Sequence, residues 1–222
     1  MKLLPFLAVL VTTILAARAD VVIEQKIESA MTNGSMIMKI KGDLARIDMP
    51  SPAGQVTVIM NFKTGETTML MHSQKIAMTV DMKAAKEAAA AQQKAAGIDP
   101  TKFEKPKATG TKEKIGDWTA DVYDFTVGAM SGKIWAAKDY PNAQVLKDEM
   151  KKISEARASG IDPSKMDVPG MVVKSQITTP GGPVTTTLVS AKQENVADTE
   201  FAIPAGYNEM KMPAAPGAAP AK

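Results

Sequence analysis

The sequence predicts an α+β fold built on an antiparallel sheet, and three observations support this prediction. Between residues 20 and 80, apolar and polar side chains alternate at a period of two, which is typical of half-buried strands. The turns between these runs, such as residues 42–43 and 63–66, are short, so neighbouring strands must be antiparallel. Two further segments, at about residues 82–96 and 142–159, have helical character.

The first strand set is predicted to be a twisted meander of five or six strands with one apolar face. Each run places apolar residues at alternate positions and polar residues between them. Methionine recurs along this face. Its members are Met36, Met38, Ile40, Ala45, Ile47, Met49, Val56, Val58, Met60, Phe62, Met69, Met71, Ile76, Met78 and Val80.

Both predicted helices have recognisable ends. Asp81 is placed to cap the first helix, and eight of the fourteen residues from 83 to 96 are alanine, which favours helix but offers little apolar bulk. Both helices end in the string Gly-Ile-Asp-Pro, at Gly97 and Gly160, where glycine can adopt the left-handed cap and proline blocks continuation. The repeated string is either one helix stop used twice or a trace of internal duplication.

A second strand set follows residues 101–114, whose polar, lysine-rich composition predicts a linker. Alternation and turn signals predict four more strands, near residues 123–127, 133–137, 171–179 and 184–192. We interpret residues 20–210 as a single domain. Residues 211–222 are rich in Pro and Ala and are predicted to be a disordered tail.

Residues 1–19 have the three parts of a cleavable secretory signal. Lys2 supplies the positive start, an apolar run follows, and residues 17–19 form a small-x-small cleavage box. The run is shorter than the roughly 20 residues that a bilayer crossing needs. We therefore predict an exported protein, periplasmic or secreted, whose mature chain begins at Asp20 and has no stable membrane span.

Composition argues against several function classes. The chain has no cysteine and one histidine, so disulfides, thiolate metal sites and a His-based metal triad are excluded. Its 27 basic and 24 acidic residues give +3, but removal of Lys2 and Arg18 with the leader leaves 25 against 24, or +1. Because these charges are interleaved, we expect no nucleic-acid partner.

Several strand and turn motifs carry a resemblance to a known family. They are Lys41-Gly42-Asp43-x-x-Arg46-Ile47-Asp48, Val58-Ile59-Met60-Asn61-x-x-Thr64-Gly65, His72-x-x-Lys75-x-x-Met78, Thr109-Gly110-x-Lys112-x-Lys114-Ile115-Gly116-x-Trp118, Ile134-Trp135-x-Ala137-Lys138-Asp139-Tyr140-Pro141 and Phe201-x-Ile203-Pro204-x-x-Tyr207-x-Glu209-Met210. The chain resembles an exported bacterial family of unknown function that is related to the lipoprotein-carrier fold of outer-membrane lipoprotein sorting.

The resemblance implies a specific architecture. It is an antiparallel, unclosed β half-barrel with two helices covering the concave face, and its carrier members bind acyl chains there. None of the motifs that carry the resemblance is catalytic, so the family supplies no active-site residues for this chain.

The methionines are the most unusual feature of the composition, sixteen in 222 residues. Methionine is unbranched and polarisable, and it suits adaptable binding surfaces as well as irregular cores. One hypothesis is therefore a hydrophobic groove for an acyl chain or a lipidated protein, and the other is a filled core in which Met replaces Leu. The groove candidates are Met36, Met38, Met60, Phe62, Met69, Met71 and Met78, with Trp118 and Trp135 as rim, core or ligand contacts.

Two other chemistries are weaker. Thioethers suit Cu(I), and the pairs Met69–Met71 and Met210–Met212 place sulfurs close in sequence, but in a strand His72 points away from the first pair. We therefore predict no metal site and no cofactor, and keep Cu(I) binding as a minor alternative. No acid–base or nucleophile constellation is visible, so we do not expect an enzyme.

The sequence thus predicts an exported, non-enzymatic binding protein that holds a hydrophobic ligand or lipidated partner in a methionine-rich groove. The alternative is a structural or envelope-accessory protein with a filled core and no small ligand.

Overall fold

A computed structural model gives the fold of this chain. It describes residues 20–84, 86–87, 90, 104–127, 130–156, 167–179 and 182–211. The predicted leader, both Gly-Ile-Asp-Pro strings and residues 212–222 of the predicted tail lie outside these ranges.

In the described part of the chain, twelve strands form one sheet. They are β1 Val21–Glu28, β2 Asn33–Lys41, β3 Leu44–Ser51, β4 Gly54–Asn61, β5 Glu66–Met71, β6 Ile76–Asp81, β7 Lys107–Ile115, β8 Trp118–Val127, β9 Met130–Ala137, β10 Met171–Thr179, β11 Gly182–Gln193 and β12 Asn208–Lys211. Their order across the sheet is β12-β6-β5-β4-β3-β2-β1-β11-β10-β9-β8-β7. The sheet is open, with β12 at one edge and β7 at the other, and this confirms the predicted unclosed sheet.

Strands β1 to β6 are the predicted meander. Every neighbouring pair is antiparallel and in the register that the alternation requires. Gly42 and Gly65 lie in the β2–β3 and β4–β5 turns with φ of 56° and 72°, a left-handed conformation that glycine adopts without steric cost.

The two strand sets form one continuous sheet because β11 pairs with β1. The prediction of a linker at residues 101–114 is wrong in its second half, since Lys107–Ile115 is strand β7. This strand is almost wholly exposed at the sheet edge, so it has no apolar alternation to reveal it. The short β12, which was not predicted, pairs in parallel with β6.

Helix α1 spans Ala143–Ala156, within the segment predicted as the second helix. Its buried residues Leu146 and Ile153 are seven positions apart and therefore lie on one face. Of the first predicted helix, residues 82–84, 86–87 and 90 are described and are helical. Asp81 Oδ1 accepts a hydrogen bond from the Ala84 N–H at 3.0 Å, as expected of a cap.

The front face of the sheet, defined as the face that carries Val21, Met38 and Met60, packs against α1. The buried residues of this front core come from β1 to β4, from β8 to β10, and from α1 with the residues before it. They are Val21, Ile23, Met38, Ile40, Ala45, Ile47, Met60, Ala120, Val122, Trp135, Ala137, Tyr140, Leu146, Ile153, Met171 and Val173. The structure thus confirms an α+β fold on a mostly antiparallel open sheet, and the helices as a cover of a concave face stay a prediction.

The opposite, or back, face carries two smaller apolar clusters. One joins β8, β9 and Val168, through Tyr123, Phe125, Ile134 and Ala136. The other joins β4, β5 and β6 to the chain that follows β11. Its members are Ile59, Leu70 and Ala77, with Phe201, Ile203 and Tyr207 packed against them.

Candidate functional site

The predicted groove residues divide into two groups on the front face. Met38 and Met60 are 4% and 5% exposed and belong to the front core, against which Met36 and Phe62 also pack. The front core therefore fills the part of the groove that lies over β2 to β4.

The second group lies on β4 to β6, beyond the front core. The register pairs Met71 with Ile76, Met69 with Met78, and Thr67 with Val80, so these residues share the front face. Met69 is 39% exposed and the others are half-buried. Among the described residues, the front core includes nothing from β5 or β6. We call this set the open column: Val56, Met69, Met71, Ile76, Met78 and Val80.

Strands β5 and β6 are packed from behind instead. Leu70 and Ala77, at 0% and 1% exposure, alternate with the open-column residues and point to the back face. Phe201, Ile203 and Tyr207 cover them, and Asn208 donates its N–H to the Lys75 carbonyl at 2.8 Å where β12 begins. The C-terminal chain thus supports these two strands from behind.

A polar network on the back face also fixes this C-terminal chain. Thr57, fully buried, has its Oγ1 2.5 Å from Asp48 Oδ1 and 2.7 Å from His72 Nε2. His72 Nδ1 is 2.5 Å from the Tyr207 hydroxyl, and Arg46 donates to both Asp48 oxygens and to the Glu200 carbonyl.

The chemistry of the groups sets the direction of this network. An ionised Asp48 only accepts, so Thr57 donates to it and in turn accepts from Nε2–H of His72. In neutral His72 the other nitrogen, Nδ1, then accepts from the Tyr207 hydroxyl. Burial acts to raise the pKa of Asp48, but the hydrogen bonds from Arg46 and Thr57 outweigh it and hold that pKa below its ordinary value. Thr57 is wholly enclosed, and its hydroxyl links β4 to Asp48 of β3 and to His72 after β5.

Sequence reasoning missed this network, although a signal was present. Arg46, Asp48 and Thr57 alternate with front-face residues, so the period of two already places them together on the back face. The partners Glu200 and Tyr207 lie more than a hundred residues away, and no local pattern indicates them.

The two tryptophans lie with the front core and apart from the open column. Trp135 is 4% exposed, donates its indole N–H to Glu113 at 2.9 Å and has Lys174 Nζ 4.6 Å from its ring centroid. Trp118 packs on the edge of the front core against Tyr140, with ring centroids 4.7 Å apart. The structure therefore does not bring Trp118 and Trp135 together with Met69, Met71 and Met78.

A cavity of about 530 Å³ lies where β5 begins and β6 ends. Phe62 and Gly65 line it together with Met82, where the first helix begins, and its rim includes Lys83, Lys86, Lys152, Asp43, Glu155 and Ala156. Lys86 Nζ donates to the Glu155 carbonyl, so this cavity lies between the start of the first helix and the end of α1. A second cavity, of about 330 Å³, lies between α1 and residues 167–172.

The structure places His72 and the Met69–Met71 pair on opposite faces of the sheet, as the strand geometry predicts. His72 lies on the back face with both ring nitrogens hydrogen-bonded, whereas Met69 and Met71 lie on the front. Met212 lies outside the described residues. Within the described ranges, no group of three or more His, Cys, Asp or Glu side chains could hold a metal ion.

The fold and the site together define a class of protein: an open, mostly antiparallel sheet with a helix-packed core and an apolar, methionine-rich column beside it. The chain belongs to the family described as Domain of unknown function (DUF4412), whose profile matches residues 21–207. This confirms the predicted membership of a family of unknown function, while kinship with lipoprotein carriers stays a prediction.

Solved structures give three comparisons. An uncharacterized conserved protein from Thermus thermophilus is similar at a TM-score of 0.53 and 6% identity, over 88% of this chain and 91% of that one. The lipoprotein LppX of Mycobacterium tuberculosis is similar at a TM-score of 0.44 and 10% identity, over 79% of this chain and 88% of that one. PNGF-II is similar at a TM-score of 0.40 and 13% identity over 87% of this chain. This chain spans only 31% of the length of PNGF-II. The Thermus likeness supports a shared fold.

No curated protein sequence matches this chain significantly. In the described part of the chain, no helix is long and apolar enough to cross a membrane.

Proposed function

We propose that this protein is a non-enzymatic carrier or binding protein that holds an acyl chain, free or attached to a partner, along the open column. The observation that carries the proposal is the division of the front face. The front-face methionines of β2 to β4 are buried in the front core or pack against it. Those of β5 and β6 are half-buried or exposed and lie outside that core.

The dimensions of the open column suit an acyl chain. From Ile76 to Val80 the column follows β6 over four residue steps, which correspond to about 13 Å of strand. One leaflet of a bilayer is about half of a roughly 30 Å hydrocarbon core, so a single acyl chain has a similar length. The column has apolar side chains on both strands, and the cavity lined by Gly65 and Met82 lies where β5 begins and β6 ends.

The chemistry of the open column suits a flexible apolar ligand. Met69, Met71 and Met78 can adjust their torsions to a chain that has no fixed shape. Each methylene fully removed from water contributes about 0.8 kcal/mol, so the affinity should rise with the number of methylenes that the column covers.

We propose further that the front face is the concave side of the half-barrel and that α1 and the helix beginning at Met82 cover it. The packing of Leu146 and Ile153 on the front core and the contact of Lys86 with the Glu155 carbonyl support this arrangement. The ligand would then lie between the open column and the first helix. This arrangement would match the lipoprotein-carrier kinship that the sequence motifs imply.

We also propose that the protein works outside the cytoplasm, in the periplasm or secreted, after cleavage before Asp20. Asp20, the first residue of the expected mature chain, is held in the fold, because its Oδ2 accepts the Val196 N–H at 2.9 Å. Intact-mass measurement of the protein recovered from the exported fraction tests this, and a mass that retains residues 1–19 would contradict it.

Titration with a fluorescent acyl probe, cis-parinaric acid, tests the binding proposal. We expect wild-type protein to bind it and a Met71→Gln plus Val80→Gln variant to bind about tenfold more weakly or worse, since two apolar contacts are lost. Met31→Gln is the matched control, because Met31 is 75% exposed in the β1–β2 turn.

Native mass spectrometry of protein purified from its own compartment provides a second readout, in which co-purifying lipid is the expected result. A wild-type protein that binds neither the probe nor any lipid, or a double variant that binds the probe as tightly as wild type, would overturn the proposal.

A further inference from the structure

We propose that Met69, Met78 and Met210 form a Cu(I)-binding site of three thioethers at the β12 edge of the sheet. This site goes beyond the acyl-binding proposal, because it uses the sulfur atoms rather than the apolar area of these residues. It also differs from the methionine pairs that are adjacent in sequence.

The strand register brings the three residues together. Met69 of β5 is the direct antiparallel partner of Met78 of β6. Met78 is in turn the direct parallel partner of Met210 of β12. Directly paired residues project from the same face, so the three side chains form a row across three strands on the front face.

The spacing of this row allows one ion to reach all three sulfurs. Directly opposite residues have Cβ atoms about 5 Å apart, and neighbouring strands are separated by about 4.8 Å. Each methionine side chain has three rotatable bonds. The sulfurs of Met69 and Met210 can therefore approach an ion that lies over Met78. Met71, by contrast, lies two residues from Met69 along the strand, about 6.6 Å away.

Exposure leaves the row accessible. Met69 and Met210 are 39% and 40% exposed, and both are among the large apolar side chains that are most open to solvent in the described part of the chain. Met78 between them is half-buried. Neither outer sulfur is committed to the front core, so coordination would not require the core to open.

The donor set selects the ion. Thioethers are soft, neutral ligands that favour Cu(I) over Mg²⁺ or Ca²⁺, which need hard oxygen ligands. The imidazole of His72 is held on the back face by Thr57 and Tyr207, so it does not compete for the ion. Three thioethers alone therefore define a site for a monovalent soft ion.

Competition with a chromogenic Cu(I) chelator, bicinchoninate, under anaerobic reducing conditions tests the site. We expect wild-type protein to withdraw one Cu(I) per chain and the Met69→Leu, Met78→Leu, Met210→Leu triple variant to withdraw none. Conversely, the Met71→Gln plus Val80→Gln variant weakens acyl binding but keeps all three thioethers, so it should still withdraw one Cu(I) per chain. Failure of the copper site and failure of the acyl site are therefore separate outcomes.

Two single variants sharpen the assignment. Met71→Leu should leave Cu(I) affinity unchanged, and so should Met31→Leu, which alters an exposed methionine away from the row. With Ag(I) as a redox-inert probe, the methyl resonances of Met69, Met78 and Met210 should shift in NMR spectra. Absence of Cu(I) binding by wild type, undiminished binding by the triple variant, or loss of binding in Met71→Leu would each overturn the proposal.

Discussion

The two ends of the meander are stabilised from opposite sides of the same sheet. Over β1 to β4 the front face carries the core, with Met38 and Met60 enclosed beneath α1. Over β5 and β6 the buried cluster lies on the back face, where the C-terminal chain covers Leu70 and Ala77. Methionines at equivalent front-face positions therefore occupy different environments in the two regions.

The front-face residues of β1 to β4 therefore serve packing, whereas those of β5 and β6 are the candidates for binding. A strand needs one well-packed face to be held in place, and β5 and β6 obtain theirs from Phe201, Ile203 and Tyr207. Among the described residues, the front-face methionines of β5 and β6 are not part of the front core. The proposal of an acyl site depends on this difference between the two regions.

The largest expected effect contrasts a core methionine with one of the open column. Met38→Ala should lower the free energy of unfolding by about 3 kcal/mol, because it leaves a cavity in the front core. Met69→Ala should lower it by less than about 0.5 kcal/mol, because Met69 is 39% exposed. Urea unfolding measures both. Equal losses in the two variants would show that the two regions are packed alike.

A smaller effect is expected on the back face, at the Arg46–Asp48 pair. Asp48→Asn should cost about 2 kcal/mol at pH 7, since charge-assisted hydrogen bonds from Arg46 and Thr57 are lost. The pKa of Asp48 is lower in the folded protein than in the unfolded chain. Its stabilisation is therefore present above the unfolded pKa of about 3.9 and is lost as pH falls through the folded pKa.

The difference in stability between wild type and Asp48→Asn should therefore be constant above about pH 5 and shrink below about pH 4. Asp124→Asn is the matched control. Asp124 is 58% exposed and lies 3.7 Å from Lys133, so its loss should change stability by less than about 0.5 kcal/mol. A difference that stays constant down to pH 2 would contradict the assigned role of Asp48.

The sequence predicted the meander well because period-two alternation encodes both strand and face. It placed Met36, Met38, Met60, Met69, Met71 and Met78 on one face, and the observed register agrees. The apolar residues between them, Ile59, Leu70 and Ala77, were the signal for a second buried face. These residues predict a buried back face only when the segment that covers them, which includes Phe201, Ile203 and Tyr207, is known.

The remaining features depend on partners that are distant in sequence. Strand β7 is a polar edge strand with no apolar alternation. Its pairing with β8 identifies it as a strand. Strand β12 pairs with residues about 130 positions earlier, and the contacts of Tyr207 with His72 span a similar separation. Local propensity carries no information on such pairings, so neither the C-terminal support nor the row of three methionines could be predicted.

The smallest expected effect tests the open column directly. Val80→Thr keeps the side-chain shape and replaces a methyl group with a hydroxyl, which in the open column can remain hydrated beside Thr67, its cross-strand partner. We expect a change of less than about 0.5 kcal/mol in the free energy of unfolding. The same change at Val173, 1% exposed in the front core, should cost about 1–3 kcal/mol, because its hydroxyl would be buried without a partner. If Val80→Thr cost as much as Val173→Thr in the same denaturation series, the open column would be a closed core and could not admit an acyl chain.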